Sequence, residues 1–482
     1  MNTHNITCPL VIDLDGTLIK TNSLDETFLD ALRQHPLDIW KLPFKLLVGR
    51  AKVKAFLAGK SSLDVDTWPV RGDFLEFVRE QFASGRKIVL ATAADRRIAE
   101  AIAVRFPFIT EVIASDGARN LKGKAKANRL RELFPEGFIY AGDSSSDLAV
   151  WRESKGSVLV DASDRVFKRV KRVNEPLAVF TSKRSIPSVL RRSMRLHQWA
   201  KNALLFVPLV LGGKALDSTA WMVAVLGFIA LGFAASATYV INDLWDLPSD
   251  RRHWSKRYRP LASGELSIRE GLLVAGLGLA AAFAVAFFIG FGAIAILALY
   301  VLATLSYSLY WKRVPILDVF ILASLFTLRL GFGIVLTDVK LSPWLLVFSM
   351  FVFASLSLAK RHTEVVRLAG KGLTAMPGRG YVQADAPLTL GLGLASMLGA
   401  ILIMVLYLIE DAFPRSFYVN PGFLWAVPPI LFLFLGRIWL LSQRGELRDD
   451  PVAFALKDKT SLLLGFMMAL TFAAAMFNPA RL

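Results

Sequence analysis

Asp13 and Asp15 stand two residues apart in "VIDLDGTL", directly after an apolar run, and Gly16 and Thr17 permit a tight turn behind them. Two carboxylates so placed can divide the work of phosphoryl transfer. One attacks phosphorus, and the other carries a proton to the leaving oxygen. Three later runs hold the other types such a site needs. "IVLATA" brings Thr92 to the end of a second apolar run, "LKGKAKANRL" places Lys126 on the start of a helix, and "YAGDSSSDL" brings Asp143 and Asp147 to the end of another. A hydroxyl and an ammonium can hold phosphoryl oxygens, and the carboxylates can hold magnesium. Singly, a DxD is often a solvated turn, GDSSSD a helix cap and Lys126 a surface lysine. Their order and shared strand-end placement favour a site.

A second constellation lies in "YVINDLWDLPSDRRHWSKRYRPLASG". Asn242, Asp243, Asp246 and Asp250 recur at helical spacing at the end of an apolar run. Acids at i, i+3 and i+7 share one helix face and can share magnesium ions. Pro248 within the pattern leaves Asp250 on a helical or an unwound turn. Directly behind come Arg251, Arg252, His253, Lys256, Arg257 and Arg259. Acids followed by dense bases suit a substrate whose phosphates meet both magnesium and guanidinium groups. A juxtamembrane Arg or Lys alone often only fixes topology or lipid contact. Four polar residues in NDxxDxxxD order at the end of a span are harder to dismiss. Arg329 falls mid-span, where an ionisable group is a functional candidate and pairing with a nearby carbonyl is the structural alternative.

The elements that must position these residues change near residue 190. Up to about Lys183, short β-rich runs alternate with amphipathic stretches, which predicts βαβ units and a parallel sheet with its site at the strands' carboxyl ends. Residues 22–69 are helix-like, with an apolar face that suits a membrane or another domain. From about Leu204 the runs become long and apolar. Nine spans are expected, at about 200–213, 219–242, 271–290, 292–310, 316–337, 343–359, 388–409, 423–441 and 461–477. The first is short and is expected to begin earlier, in "RLHQWAKN". Loop Lys and Arg, including Arg251, Arg252, Lys256, Lys312, Arg313, Lys360, Arg367 and Lys371, concentrate on one side, while the alternate loops hold few, such as Lys214, Lys340 and Arg415. The positive-inside rule then puts the N-terminus in the cytoplasm and the C-terminus outside.

Composition agrees. The chain has 482 residues, 54% of them hydrophobic, and a formal net charge of +18. Its mean hydropathy is +0.47, which a soluble chain of this length rarely reaches. The bases lie mostly beside hydrophobic runs, so a nucleic-acid partner is not expected, whereas membrane lipids and phosphorylated substrates are. Cys8 is the single cysteine, which excludes an internal disulfide and fits a reducing compartment. Residues 1–9 lack a basic stretch followed by an apolar run, so no secretory signal is expected.

The soluble motifs together resemble the haloacid dehalogenase superfamily over about residues 8–180. That resemblance implies that Asp13 is the nucleophile that forms an aspartyl-phosphate and Asp15 the general acid/base. It implies phosphate contacts from Thr92 and Lys126, and magnesium on Asp13, Asp15, Asp143 and Asp147. The GxxK spacing from Gly123 favours Lys126 over Lys122 and Lys124. The acids of the second constellation resemble the first aspartate-rich motif of the UbiA superfamily, and nine spans match its architecture. "RLHQWAKN", "DRRHWSKRYRPLASG", "YSLYWKRVPILDVFILASLFTLRLGFG" and "SLAKRHTE" are closer to its polyprenyl-phosphate (decaprenyl-phosphate) phosphoribosyltransferase branch, over about residues 190–480. The implied donor is phosphoribosyl pyrophosphate and the implied acceptor polyprenyl phosphate. The resemblance places Mg2+ and donor pyrophosphate on Asp243 and Asp246, with Asn242 and Asp250 as further contributors. It makes Lys201, Lys256, Arg257, Arg259, Lys312, Lys360 and Arg361 phosphate contacts. One departure is plain: Asp318 is followed four residues on by Leu322 where prenyltransferases carry a second acid, so Asp318 is expected to position the sugar or one metal.

The expected fold is an α/β Rossmann-like haloacid dehalogenase domain with a small helical cap over residues 1–185. An all-α nine-span UbiA-type bundle follows over 186–482. The expected function is bifunctional: phosphoribose transfer to polyprenyl phosphate, then removal of the 5-phosphate by the soluble domain, at the inner membrane, in cell envelope biosynthesis. The alternative is a prenyltransferase using a prenyl diphosphate and an aromatic or other acceptor, beside an unrelated phosphatase or regulatory domain. A transporter would leave the clustered acids and bases unexplained. A homo-oligomer is left open.

Overall fold

The computed structural model describes residues 8–476 other than 63, 183, 370, 371, 373, 377, 416, 417, 448–450 and 456. Lys371 and most of the N-terminal stretch read for a signal lie outside the described residues. The chain divides into two compact units. The first is Met1–Met194 with Tyr239–Ala275, and the second is Arg195–Thr238 with Gly276–Leu482.

The first unit is built on a six-stranded sheet in the order β3-β2-β1-β4-β5-β6. Its strands are β1 (Leu10–Ile12), β2 (Ile88–Asp95), β3 (Glu111–Ser115), β4 (Ile139–Gly142), β5 (Gly156–Val160) and β6 (Pro176–Phe180). All pairings are parallel, with Leu10 opposite both Ile88 and Ile139. β5 and β6 were not singled out in the sequence. Leu10 and Ile12 pack into one apolar cluster and Val11 into another, so the sheet is buried on both faces, as parallel sheets are. Each fully buried Leu, Ile or Val contributes roughly 1.5–3 kcal/mol. β2 lies on one side of β1 and β4 on the other, so the chain reverses direction across the sheet at β1. A crevice at the carboxyl ends of the strands follows from that reversal.

The expected cap between β1 and β2 is present as Ser23–Gln34, a 3-10 turn Pro36–Lys41, and helices Leu42–Val48 and Arg50–Gly59. Segment 239–275 packs on this cap. Leu29 of the cap clusters with Val189, Val240, Leu244, Leu247, Leu261 and Leu266. Arg251 grips Glu26 through two bonds of 3.0 and 2.6 Å, with both side chains buried. Arg269 grips Asp25 at 2.8 Å, and Arg252 pairs with Asp64.

Eight helices among the described residues are long and apolar enough to cross a membrane: Ser218–Trp245, Ile268–Ile289, Phe291–Leu309, Leu317–Thr337, Pro343–Leu368, Gln383–Ala412, Pro421–Gln443 and Lys459–Met476. The nine-span expectation is therefore not met on length and composition. The missing one, 200–213, does begin earlier, at Leu196, but forms a 3-10 run Leu196–Phe206 continued by a short helix Val207–Leu211. Within the second unit this run lies tight against Leu317–Thr337. A Cβ on Gly333 would stand 2.1 Å from the Leu205 carbonyl oxygen.

Candidate functional site

The first site forms around the end of β1. Gly16 has φ +73°, and a Cβ there would meet Asp143 Oδ2 at 2.3 Å, so only glycine lets the turn and Asp143 come together. Asp13, Asp143 and Asp147 each present a carboxylate oxygen within 4.8 Å of the others. Lys126 reaches into this group, 3.0 Å from Asp13 Oδ1 and 3.7 Å from Asp147 Oδ1. Its Nζ donates to Tyr140 Oη at 2.8 Å, and Tyr140 donates to Asp147 Oδ1 at 2.9 Å. The Ser144 amide and hydroxyl hold the other Asp147 oxygen at 3.2 and 3.0 Å. Asp15 lines the same cavity but stands apart from the three acids, its carboxylate accepting from Ser23 N at 2.7 Å and Ser23 Oγ at 3.0 Å. Thr92 is buried and accepts the Ala94 amide at 3.0 Å. β2 runs three residues past it, to Asp95, so Thr92 is not at the strand's end as the sequence implied.

Burial, with Asp147 and Asp15 nearby and Lys126 opposing, pushes Asp13 up to about 7. Burial and the neighbouring Asp13 and Asp147 push Asp143 up to about 8. Burial also raises Asp15, against its two bonds from Ser23. Burial alone would lower Lys126, but Asp13 and Asp147 outweigh it and hold the ammonium above its usual range. Three crowded oxygen donors, two of them with ionisation resisted by burial and by neighbouring carboxylates, fit a hard divalent cation, which relieves that repulsion. The cavity in front of them measures about 600 Å3 and is also lined by Lys20, Arg50, Lys54, Lys122, Ser267 and Arg269.

The acids of segment 239–275 also lie in the first unit. Asp243 lies in the last turn of the helix Ser218–Trp245, the helix breaks at Asp246, and Asp250 lies in the short helix Leu247–Arg252. Pro248 explains the position of the break. Proline is tolerated in a helix's first turn and not in its interior, so a new helix starts just ahead of it. The i, i+3, i+7 face is thus interrupted, and these three acids do not form a close ligand group like that of Asp13. Asp243 and Asp250 instead converge on one guanidinium nitrogen of Arg259, at 2.9 and 2.6 Å. Burial raises Asp250, and Arg259 opposes the shift. Lys256 lies 3.9 Å from Asp250, Arg257 donates to Tyr258 Oη at 2.8 Å, and Asn242 is half-buried.

In the second unit, fully buried Asp318 accepts from Arg361 Nε at 2.7 Å, Tyr381 Oη at 2.7 Å and Arg379 at 3.4 Å. Arg361 also pairs with Glu364 at 2.5 Å. Arg329 is buried, and among the described residues its hydrogen-bond partners are neutral: Asn202 Oδ1 at 3.0 Å, the Leu325 carbonyl at 2.7 Å and Tyr300 Oη at 3.0 Å. Lys201 sits over the Phe326 ring, and Lys312 and Lys360 are half-buried. Sequence reasoning missed Tyr140, Ser23, Asn202, Arg379 and Tyr381. Tyr140 and Asn202 lay inside quoted motifs and could have been weighed; Arg379 and Tyr381 meet Asp318 from more than 60 residues away in a loop with no periodic signal.

Residues 203–463 match the family model "UbiA prenyltransferase family", and residues 10–152 match "haloacid dehalogenase-like hydrolase". The chain is 41% identical to the uncharacterized protein y4nM of Sinorhizobium fredii, over 97% of this chain and 91% of that one. It is 31% identical to the nodulation protein NoeC of Azorhizobium caulinodans, over 58% of this chain and 91% of that one. It is 32% identical to the decaprenyl-phosphate phosphoribosyltransferase of Corynebacterium glutamicum, over 36% of this chain and 54% of that one. With its eight apolar helices it is an integral, multi-pass membrane enzyme. The chain belongs to the UbiA prenyltransferase family and carries a haloacid dehalogenase-like domain fused ahead of that fold.

Proposed function

We propose that the protein transfers phosphoribose from phosphoribosyl pyrophosphate to polyprenyl phosphate and then removes the 5-phosphate, giving polyprenyl-phosphoryl ribose. In the first reaction a lipid phosphate oxygen bonds to ribose C1 as the C1–oxygen bond to pyrophosphate breaks. In the second, Asp13 attacks phosphorus, and Asp15 gives its proton to the departing ribose O5. Asp15 then takes a proton from the water that releases inorganic phosphate from Asp13. Its raised pKa suits a proton carrier. Lys126 balances charge on the phosphoryl oxygens, and Tyr140 and Ser144 hold Asp147 in place. Mg2+ bound by Asp13, Asp143 and Asp147 would supply positive charge for those oxygens.

The observation that carries the coupling is the phosphatase cavity itself. Ser267 and Arg269, which belong to the transferase sequence, line it together with Asp13 and Asp15. For the transferase, Asp243, Asp246 and Asp250 would supply oxygens for Mg2+, whose charge would hold the donor pyrophosphate. Arg259 must release Asp243 and Asp250 for that, and is then available to the pyrophosphate. Saturation of Asp318 by Arg361 and Tyr381 counts against the alternative, in which two acidic motifs grip a prenyl diphosphate. The same reading places the phosphatase domain in the cytoplasm and the chain in the inner membrane. Incubating the full chain with phosphoribosyl pyrophosphate, polyprenyl phosphate and Mg2+ and weighing the lipid product tests it. A lipid carrying ribose without phosphate on O5 is expected, and the absence of any ribosylated lipid would refute the reading.

A further inference from the structure

The cap carries a surface that the phosphatase chemistry does not use. Leu37, Trp40, Phe44 and Leu47 are 83, 79, 72 and 86% exposed, and Leu46 and Val48 are exposed beside them. Neither Pro36–Lys41 nor Leu42–Val48 buries a single residue in the fold. A soluble surface rarely leaves so many large apolar side chains in water within one short stretch. Gly49, at φ +134°, then turns the chain into Arg50–Gly59, whose Leu57 and Ala58 are buried, so the exposed stretch is held by anchored helices on both sides.

Charge identifies the occupant. Residues 36–54 contain Lys41, Lys45, Arg50, Lys52 and Lys54 against one acid, Asp38. Asp38 is already neutralised by Lys41 at 2.5 Å and Lys60 at 2.7 Å. Apolar side chains including a tryptophan, interleaved with lysines, are the composition of an element that lies in a bilayer interface and favours anionic headgroups. A bilayer is also the one surface that a chain with eight spanning helices always has within reach. We propose that residues 36–48 insert shallowly into an anionic lipid surface and seat the cap on the membrane. The next helix carries Lys54 into the catalytic cavity, where it donates to the Ala93 carbonyl at 2.5 Å and to Asn120 at 3.0 Å. Docking therefore brings lipid close to the cavity wall, as a lipid-borne phosphate ester requires. That consequence rests on the proposed function, whereas the docking does not.

The test uses the full chain with Cys8→Ala and Leu47→Cys, labelled with an environment-sensitive fluorophore and placed in nanodiscs containing phosphatidylglycerol. The expected result is blue-shifted emission quenched severalfold by lipids brominated on their acyl chains, and weakened by high salt. A water-exposed label in the nanodisc overturns the proposal. So does a blue shift that brominated lipid leaves untouched and that grows with protein concentration, because a second copy then covers the surface. Phe44→Glu in the labelled protein should abolish the quenching while turnover of a small soluble phosphate ester is kept. Loss of that turnover would show that the segment holds the domain together instead, and would also overturn the proposal.

Discussion

Asp13 and Asp143, pushed up to about 7 and about 8, hold protons in the metal-free fold that they would lose in an unfolded chain. Between about pH 4 and pH 8 the folded state therefore binds more protons than the unfolded state, and metal-free stability falls as pH rises. A divalent cation competes with those protons. The gain in melting temperature on adding Mg2+ should thus be larger near pH 8 than near pH 6. An equal gain at both would contradict the metal assignment, and Asp143→Asn should remove most of it. Arg329 poses a different problem, because its buried guanidinium is held by Asn202, Tyr300 and a carbonyl, all of them neutral. If it meets a substrate phosphate, Arg329→Gln should raise KM for polyprenyl phosphate about tenfold or more, equivalent to about 1.4 kcal/mol. Phosphatase turnover of a small ester should not move. An unchanged KM would make Arg329 a packing residue.

Among the elements, those written in local pattern were legible and those made by distant contacts were not. The strand-end motifs of Asp13 and Asp143 and the helical cap could be read because each is an apolar run closed by a short polar signal. Residues 196–211 misled because hydropathy alone does not distinguish a long α-helix from a 3-10 run stopped by Gly212 and Gly213. Residues 243–270 read as a membrane-side loop. Their packing on the cap depends on Arg251, Arg252 and Arg269 meeting acids some 200 residues earlier, which no spacing rule reveals. The Arg251–Glu26 pair makes this testable. Removing one partner of a buried pair costs about 3–5 kcal/mol, so Glu26→Gln should expose residues 239–275 to faster hydrogen exchange. Exchange as slow as in the wild type would show that the apolar cluster around Leu29 suffices. Asp243→Asn or Asp246→Asn should abolish lipid ribosylation and spare the phosphatase, since the Asp13 group shares no ligand with these acids. Full ribosylation in both mutants would remove the acids from the donor site.

Eight helices qualify as spans by length and composition. The 196–211 segment, at the longer rise of a 3-10 run, extends roughly 30 Å, close to the thickness of a hydrocarbon core. If it crosses, a C-terminal reporter is extracytoplasmic while an N-terminal one is cytoplasmic; both on one side would mean an even number of crossings. The central claim is that the two domains act in sequence on one lipid, and Asp13→Asn tests it most directly. A neutral amide in place of the carboxylate stops attack on phosphorus at nearly constant volume, and the transferase acids are untouched. Mass measurement of the lipid product from phosphoribosyl pyrophosphate and polyprenyl phosphate should then find a species about 80 Da heavier than the wild-type product, one retained phosphate ester. The same product mass from mutant and wild type would show that the phosphatase domain acts on something else.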